Sequence, residues 1–174
     1  MGVSIRPLRD RIAYRPVARR QCGAIEISGG GDVWCGLVTA VGNGEHADVL
    51  MPGDWVWIQP QPHFLEMAWA AGQMVVRASL VAGYYRDGAV RAMPGRAAVR
   101  CDADVDPISQ RPSGLFVLRE SVRHPVTGTD DEGRRVLWDL WAAPQLRQSI
   151  GGETWIYLPI DGVIGIVEDE GVST

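Results

Sequence analysis

Few residues in this chain have the types and spacing of a reactive site. Gly42-Asn43-Gly44-Glu45-His46-Ala47 satisfies the G-x-G-x-x-A pattern and comes after a strand-like run, Leu37-Val38-Thr39-Ala40-Val41, as a dinucleotide-binding turn does. The chain then continues through Asp48-Val49-Leu50 directly into Met51-Pro52-Gly53, so the helix whose N-terminus would hold a pyrophosphate is missing. His46, His63 and His124 show neither H-E-x-x-H nor zinc-finger spacing, and Cys22, Cys35 and Cys101 form no C-x-x-C pair, so no zinc site or disulfide framework is indicated. All 17 basic residues are Arg, which removes Schiff-base chemistry and the phosphate-binding lysine of P-loops. A Ser/His/Asp triad is a spatial arrangement that the sequence leaves open. Nothing demands catalysis, and the chain is read as a non-enzyme without metal or cofactor.

The elements that position these residues derive from composition and turn chemistry. The chain has 174 residues, of which 46% are hydrophobic and 22% charged, with 21 Gly and 11 Pro, an ordinary globular composition with room for one or two domains. A formal net charge of −4 takes away the electrostatic drive for general nucleic-acid binding. The first residues lack the apolar core of a secretory signal, and the longest apolar stretch, 64–83, is broken by Glu66, Gln73 and Arg77. A cytoplasmic protein that neither enters nor binds membranes is expected.

Short β-branched and aromatic runs predict strands at 11–15, 36–41, 54–58, 73–77, 96–100, 115–118, 135–140, 153–158 and 163–167. Between them stand Gly29-Gly30-Gly31, Gly42-Asn43-Gly44, Met51-Pro52-Gly53-Asp54, Pro94-Gly95 and Gly151-Gly152, which supply the backbone angles of turns. This is an all-β pattern, a barrel or a sandwich. The single helical candidate is 62–72. Trp55 with Trp57, and Trp155 with Tyr157, alternate at strand spacing and are assigned to the core.

The strand runs also repeat in order. Arg11-Ile12-Ala13-Tyr14-Arg15 matches Arg96-Ala97-Ala98-Val99-Arg100, and Cys22-Gly23-Ala24-Ile25-Glu26-Ile27 matches Ser113-Gly114-Leu115-Phe116-Val117-Leu118. Gly53-Asp54-Trp55-Val56-Trp57-Ile58-Gln59-Pro60 then matches Gly152-Glu153-Thr154-Trp155-Ile156-Tyr157-Leu158-Pro159, and Leu80-Val81-Ala82-Gly83 matches Val163-Ile164-Gly165-Ile166. The blocks suggest a tandem duplication, with units at 1–88 and 89–174.

Ile5-Arg6-Pro7-Leu8-Arg9-Asp10-Arg11-Ile12, together with Cys22-Gly23-Ala24-Ile25-Glu26-Ile27, then Val41-Gly42-Asn43-Gly44 and Pro52-Gly53-Asp54, resembles the GroES co-chaperonin family. The match covers residues 4–60 well and 73–88 loosely, and reaches 89–174 only through the internal repeat. The resemblance implies two GroES-like irregular β-barrels in tandem, the second degenerate. It also implies assembly into a homo-oligomeric ring, with a heptamer favoured, that caps a GroEL-type chaperonin through a mobile loop at 16–31 while the partner binds and hydrolyses ATP. Ile25 and Ile27 inherit the chaperonin-docking role, and Glu26 departs from the family's apolar centre. Strand alternation sends that carboxylate to the opposite side from the two Ile.

In the second unit Phe116-Val117-Leu118 takes the equivalent place, as a docking tip or as a core strand. Ordering a tether costs about 1–2 kcal/mol per fixed residue, so each contact stays weak while several on one ring hold together. Arg6, Arg9, Asp10 and Arg11 correspond to the family's subunit contact and could equally form a solvated strand face. Residues 45–51 are shorter than the family's roof hairpin, which implies an open or rebuilt dome of the kind found in some phage-encoded co-chaperonins. The competing reading is a structural or virion-associated β-barrel that binds no chaperonin.

Overall fold

A computed structural model describes residues 5–16, 34–59, 68–70, 72–101, 125–139, 142 and 144–168. The described chain is all-β, as the composition implies. Its strands are β1 (Arg11–Pro16), β2 (Cys35–Val41), β3 (Trp55–Ile58), β4 (Ala68–Ala70), β5 (Gln73–Arg77), β6 (Val81–Arg86) and β7 (Ala89–Ala92), then β8 (Arg96–Cys101), β9 (Pro125–Asp130), β10 (Arg135–Asp139), β11 (Leu146–Ile150), β12 (Glu153–Pro159) and β13 (Val163–Ile166). They form two antiparallel sheets, in the orders β4-β5-β1-β2-β3-β6-β7 and β11-β12-β8-β9-β10-β13. The helical candidate at 62–72 does not extend through 68–70, a strand paired to β5 through Ala68↔Val75; residues 62–67 and 71 lie outside the described residues.

Each sheet must curl. β5 ends at Arg77 and β6 begins at Val81, joined by a 3-10 turn at Ala78–Leu80, yet β1, β2 and β3 lie between them. Four residue steps reach at most about 14 Å, whereas four strand spacings in a flat sheet need about 19 Å. The second sheet repeats the constraint, because only Ile160–Gly162 joins β12 to β13 around β8, β9 and β10. The short joint after Pro159 is therefore the same kind of link that Ala78–Leu80 makes in the first sheet.

The two sheets also share their register. Arg11↔Arg77 and Tyr14↔Met74 in the first stand where Arg96↔Pro159 and Val99↔Ile156 stand in the second. The pairing of β3 with β6 slips between Trp57 and Ile58, opposite Gly83 and Val81; that of β10 with β13 slips between Leu137 and Trp138, opposite Gly165 and Val163. By register, β8, β9, β10, β11, β12 and β13 correspond to β1, β2, β3, β4, β5 and β6. This corrects two sequence matches: the block ending at Pro159 is the counterpart of β5, not of the block ending at Pro60, and Val81, Ala82 and Gly83 correspond to Val163, Ile164 and Gly165, one residue out of step with the match of Leu80–Gly83 to Val163–Ile166. β7 lies in the first sheet, which therefore runs through Ala92.

Three apolar clusters hold the chain. One, inside the first sheet, contains Ile12, Tyr14, Val56, Ile58, Met74 and Val76 together with Val38, Leu50, Val81 and Met93. Inside the second sheet the cluster is Ala97, Val99, Val136, Trp138, Ile156 and Leu158. Each of these six occupies the register position of a core residue in the first sheet, with bulk exchanged: Tyr14 gives way to Val99 while Ile58 gives way to Trp138. Cores tolerate such swaps when total volume is kept.

The third cluster lies between the sheets and joins Cys35, Trp57, Ala82 and Val90 to Ala98, Leu146, Ile150, Trp155 and Tyr157. Trp57 and Tyr157 are fully buried there with ring centroids 5.7 Å apart. Truncating either ring to Ala would cost about 3–5 kcal/mol. The aromatic pairs that the sequence assigns to a core are in one, but it is the core between the two sheets.

Candidate docking and subunit interfaces

Two of the sequence motifs meet in space. The segment leading into β1 runs over the turn after β2, with the Arg9 amide donating to Asn43 Oδ1 at 3.1 Å and the Gly42 amide to the Arg11 carbonyl at 2.8 Å. A Cβ on Gly42 would stand 2.1 Å from the Arg9 carbonyl oxygen, and one on Gly44 2.5 Å from the Asp10 Cα. Both glycines are needed because backbone crosses backbone there. Arg9 accommodates the crossing with a φ of 57°, a strained angle for a residue with a side chain. Arg-Pro-Leu-x-Asp-Arg and Val-Gly-Asn-Gly are thus the two sides of one crossing, and the close approach accounts for both glycines.

Asp10 anchors the turn. Its Oδ1 accepts from the backbone N–H groups of His46 at 3.0 Å and Ala47 at 2.8 Å, and its Oδ2 lies 3.0 Å from His46 Nδ1. The carboxylate thereby caps the 3-10 turn Ala47–Val49, whose Ala47, with Leu50 just beyond, fills one end of the first core. Residues 45–51 thus form a short plug in which Ala47 and Leu50 turn into the core while Glu45, Asp48 and Met51 stay exposed. Arg6, Arg9 and Arg11 are exposed, while half-buried Asp10 is engaged within its own unit.

Pro52-Gly53-Asp54 has a comparable internal role. Asp54 is 1% exposed and accepts from Arg86 Nε at 2.7 Å, Arg86 Nη2 at 2.6 Å and the Met51 amide at 2.8 Å. Arg86 also donates to the Val49 carbonyl at 2.9 Å and lies over the Tyr84 ring. Hydrogen bonding to Asp54 raises the Arg86 pKa further above its ordinary value. The second sheet has its own such pair. Asp130, 6% exposed, accepts from Arg134 Nε at 2.7 Å and from the Arg134 and Glu132 amides at 2.8 and 3.0 Å. A four-residue turn there replaces the plug.

A cleft of about 420 Å³ opens between the sheets, bordered by Tyr85, Val90, Arg100, Asp131, Glu153 and Trp155. Arg100 is paired with Glu153 at 2.6 Å, and Asp131 accepts from the Ala92 amide at 3.0 Å. Charges so engaged offer a ligand little. Among the described residues, no group of three or more His, Cys, Asp and Glu could hold a metal ion, and no helix is long and apolar enough to cross a membrane.

Ile25, Glu26, Ile27, Phe116, Val117 and Leu118, expected from the sequence to dock a partner, lie outside the described residues, as do positions 17–31 of the expected loop. The strands that bracket them are described: β1 and β2 flank the first segment and β8 and β9 the second, at corresponding places in the two sheets. At the far end of each bracket is a glycine in one environment. A Cβ on Gly36 would stand 2.2 Å from the Arg15 carbonyl oxygen and 2.7 Å from the Tyr14 ring, and one on Gly128 2.8 Å from the Arg100 carbonyl oxygen and 2.5 Å from the Val99 side chain. Sequence reasoning passed over β9, whose Pro125 and Gly128 read as breakers; Gly128 is there because a neighbouring strand approaches closely. No protein-family model matches the chain, and no curated protein matches it.

Proposed function

We propose that the chain is a co-chaperonin made of two GroES-like β-barrels in tandem, which caps a GroEL-type chaperonin ring and assists folding driven by the partner's ATP hydrolysis. The observation that carries this reading is the common strand order and register of the two curled sheets, each with a long segment inserted between its first two strands. A duplicated barrel with a duplicated insertion suits a device whose grip depends on several weak, repeated contacts.

Ile25 and Ile27 are the docking pair of the first segment, with Glu26 turned away from the groove they enter. Phe116, Val117 and Leu118 are the tip of the second. The mutual contact of Arg-Pro-Leu-x-Asp-Arg with Val-Gly-Asn-Gly supports the family resemblance, since those motifs are the two sides of one crossing. The plug at 45–51 in place of a roof hairpin leaves the dome open in this reading. No chemistry is assigned to the chain itself.

The test is nucleotide-dependent co-sedimentation with a GroEL-type chaperonin. Wild type binds in the presence of ATP, and Ile25→Asp with Ile27→Asp weakens binding without altering the fold. Absence of binding by wild type across several chaperonins refutes the function and favours the structural-barrel reading.

A further inference from the structure

The first sheet has a strand that the second lacks among the described residues. β7 lies on the outer side of β6, in the register Arg86↔Ala89, Tyr85↔Val90, Tyr84↔Arg91 and Gly83↔Ala92. β13 is the counterpart of β6, and no described strand pairs with its outer edge. Ile164 is 39% exposed there and Ile166 56%. Beside them runs a groove of about 550 Å³ bordered by Met93, Val136, Ile160, Val163, Ile164 and Ile166. A bare edge flanked by apolar side chains invites pairing with whatever strand arrives, and native sheets cover or blunt such edges.

The backbone of β13 sets the terms for a covering strand. The Val167 amide donates to the Arg135 carbonyl at 2.8 Å, so the polar backbone groups of Val167 face β10. Alternation along an antiparallel strand then turns those of Ile166 and Glu168 to the open side. Asp169-Glu170-Gly171-Val172-Ser173-Thr174 follows, outside the described residues. If the chain folds straight back and bonds first at Glu168, two loop lengths keep that alternation. A two-residue loop needs positive φ at both of its residues, as at Asp87 (51°) and Gly88 (83°) between β6 and β7, and would put Glu170 at one of them. A three-residue loop needs it only at its last residue, which is Gly171.

The chain builds that longer turn elsewhere from the same tripeptide. Asp131-Glu132-Gly133 joins β9 to β10 with Gly133 at φ 83°, the Gly133 amide donating to the Asp130 carbonyl at 3.0 Å and the Asp130 amide to the Arg134 carbonyl at 2.9 Å. Glu168 and Val172 take the places of Asp130 and Arg134, without the ion pair between those two.

We infer that residues 169–174 turn back on β13 through Asp169-Glu170-Gly171 and add a seventh strand to the second sheet, pairing Val172 with Glu168, Ser173 with Val167 and Thr174 with Ile166. The segment stands to β13 as β7 stands to β6, and it guards the edge against strands of other molecules. An incoming strand competes with one tethered at an effective concentration of about millimolar or more. Val172 and Thr174 are β-branched, as strand residues tend to be, and Thr174 beside Ile166 makes a favourable cross-strand pair. These six residues reach as far as Ile166, so the Ile160 end of the groove stays open. The inference rests on strand order and register and is independent of the proposed function.

Hydrogen exchange of the full chain, resolved to single amides by mass spectrometry, reads the edge directly. The Val167 amide, bonded to β10, is the internal reference. Ile166 and Glu168 exchange about tenfold or more slowly in wild type than in a chain ending at Glu168, while Val167 stays protected in both. Gly171→Val places a β-branched residue at the positive φ of the turn and speeds the same two amides without shortening the chain. Circular dichroism checks that each variant is folded.

A disulfide fixes the register. In a chain with Cys22→Ser and Cys101→Ser, Val167→Cys with Ser173→Cys puts the thiols on a directly opposed, non-hydrogen-bonded pair, where Cα atoms approach to about 4.5 Å. Their effective concentration in a glutathione buffer is about thirtyfold or more above that in the urea-unfolded chain, whereas Val167→Cys with Val172→Cys shows no gain because the two side chains leave opposite faces. Amides of Ile166 and Glu168 that exchange as fast in wild type as in the shortened chain, or disulfides that form equally well in both registers, overturn the inference. Protection that grows with protein concentration overturns it as well, since it would assign the edge to a second copy.

Discussion

Gly83→Ala and Gly165→Ala are the same substitution at register-equivalent positions and should have opposite effects. At Gly83 the new methyl stands 2.1 Å from Tyr157 Cε1 and 2.5 Å from the Arg91 carbonyl oxygen, and the second of these is backbone that cannot swing aside. Overpacking of this kind costs about 1–3 kcal/mol. At Gly165 the methyl enters open space on a strand whose φ is ordinary, so the restricted unfolded chain stabilises by about 0.4–1 kcal/mol.

The gap between the variants is about 1.4–4 kcal/mol, and with a urea m-value of about 2 kcal/mol/M it separates their midpoints by about 0.7–2 M. The assay is urea unfolding monitored by tryptophan fluorescence and far-UV circular dichroism, at a concentration low enough to keep the chain monomeric. Placing Gly83→Ala in a Tyr157→Ala background should recover part of the loss, since the ring it strikes is gone. Equal midpoints for the two alanine variants would refute this reasoning, and a Gly83→Ala loss undiminished in the Tyr157→Ala background would mean that it comes from the β7 backbone alone and that Tyr157 does not rest on β6.

Other outcomes depend on single side chains. Arg86→Met leaves the Asp54 carboxylate buried without its cation and should destabilise by about 3 kcal/mol, while adding Asp54→Asn recovers much of it, both read by chemical denaturation. Tyr157 is buried, which with Asp131 nearby holds its phenol pKa well above the ordinary value. The folded state therefore keeps a proton that the unfolded chain releases near pH 10, so stability is complete below about pH 10 and falls as pH rises further. Unfolding free energies measured from about pH 8 to 11 should decline less steeply in Tyr157→Phe. Its neutral-pH stability should equal or exceed wild type by about 1 kcal/mol, since Tyr157 Oη is buried with no hydrogen-bond partner among the described residues. Gly36→Ala and Gly128→Ala should each destabilise by about 1–3 kcal/mol in the same urea assay, matching in sign because each methyl strikes the paired strand at the same place.

The all-β class was legible because β-branched and aromatic runs alternate with Gly and Pro turns, and β1, β2, β3, β5, β8, β10, β12 and β13 fall where those runs predict. The strands that escaped, β4, β6, β7, β9 and β11, are short or contain Gly, Pro or polar residues whose reason for being there lies on a neighbouring strand. β11 reads Leu146-Arg147-Gln148-Ser149-Ile150, and its inward set includes Gln148, which is 5% exposed and so hides the alternation. The correspondence of strand order between the two sheets was legible in outline, but one block was matched to the wrong strand and another one residue out of register. Gly-acid-x-aromatic marks any strand that comes after a tight turn, whereas register is fixed by hydrogen bonding between strands that no single sequence window contains. The internal roles of Asp10 and Asp54 were equally invisible, since their partners stand more than thirty positions away.

Chaperonin capping is tested most sharply by titrating a GroEL-type chaperonin with wild type, with Ile25→Asp/Ile27→Asp, with Phe116→Asp/Leu118→Asp, and with both sets combined, each with ATP and without nucleotide. Two docking segments on each chain require nucleotide-dependent binding by wild type, weakening by either pair, and loss when both segments are altered. Binding that ignores nucleotide, or that survives the combined substitutions in a folded chain, would contradict a co-chaperonin that docks through these two segments.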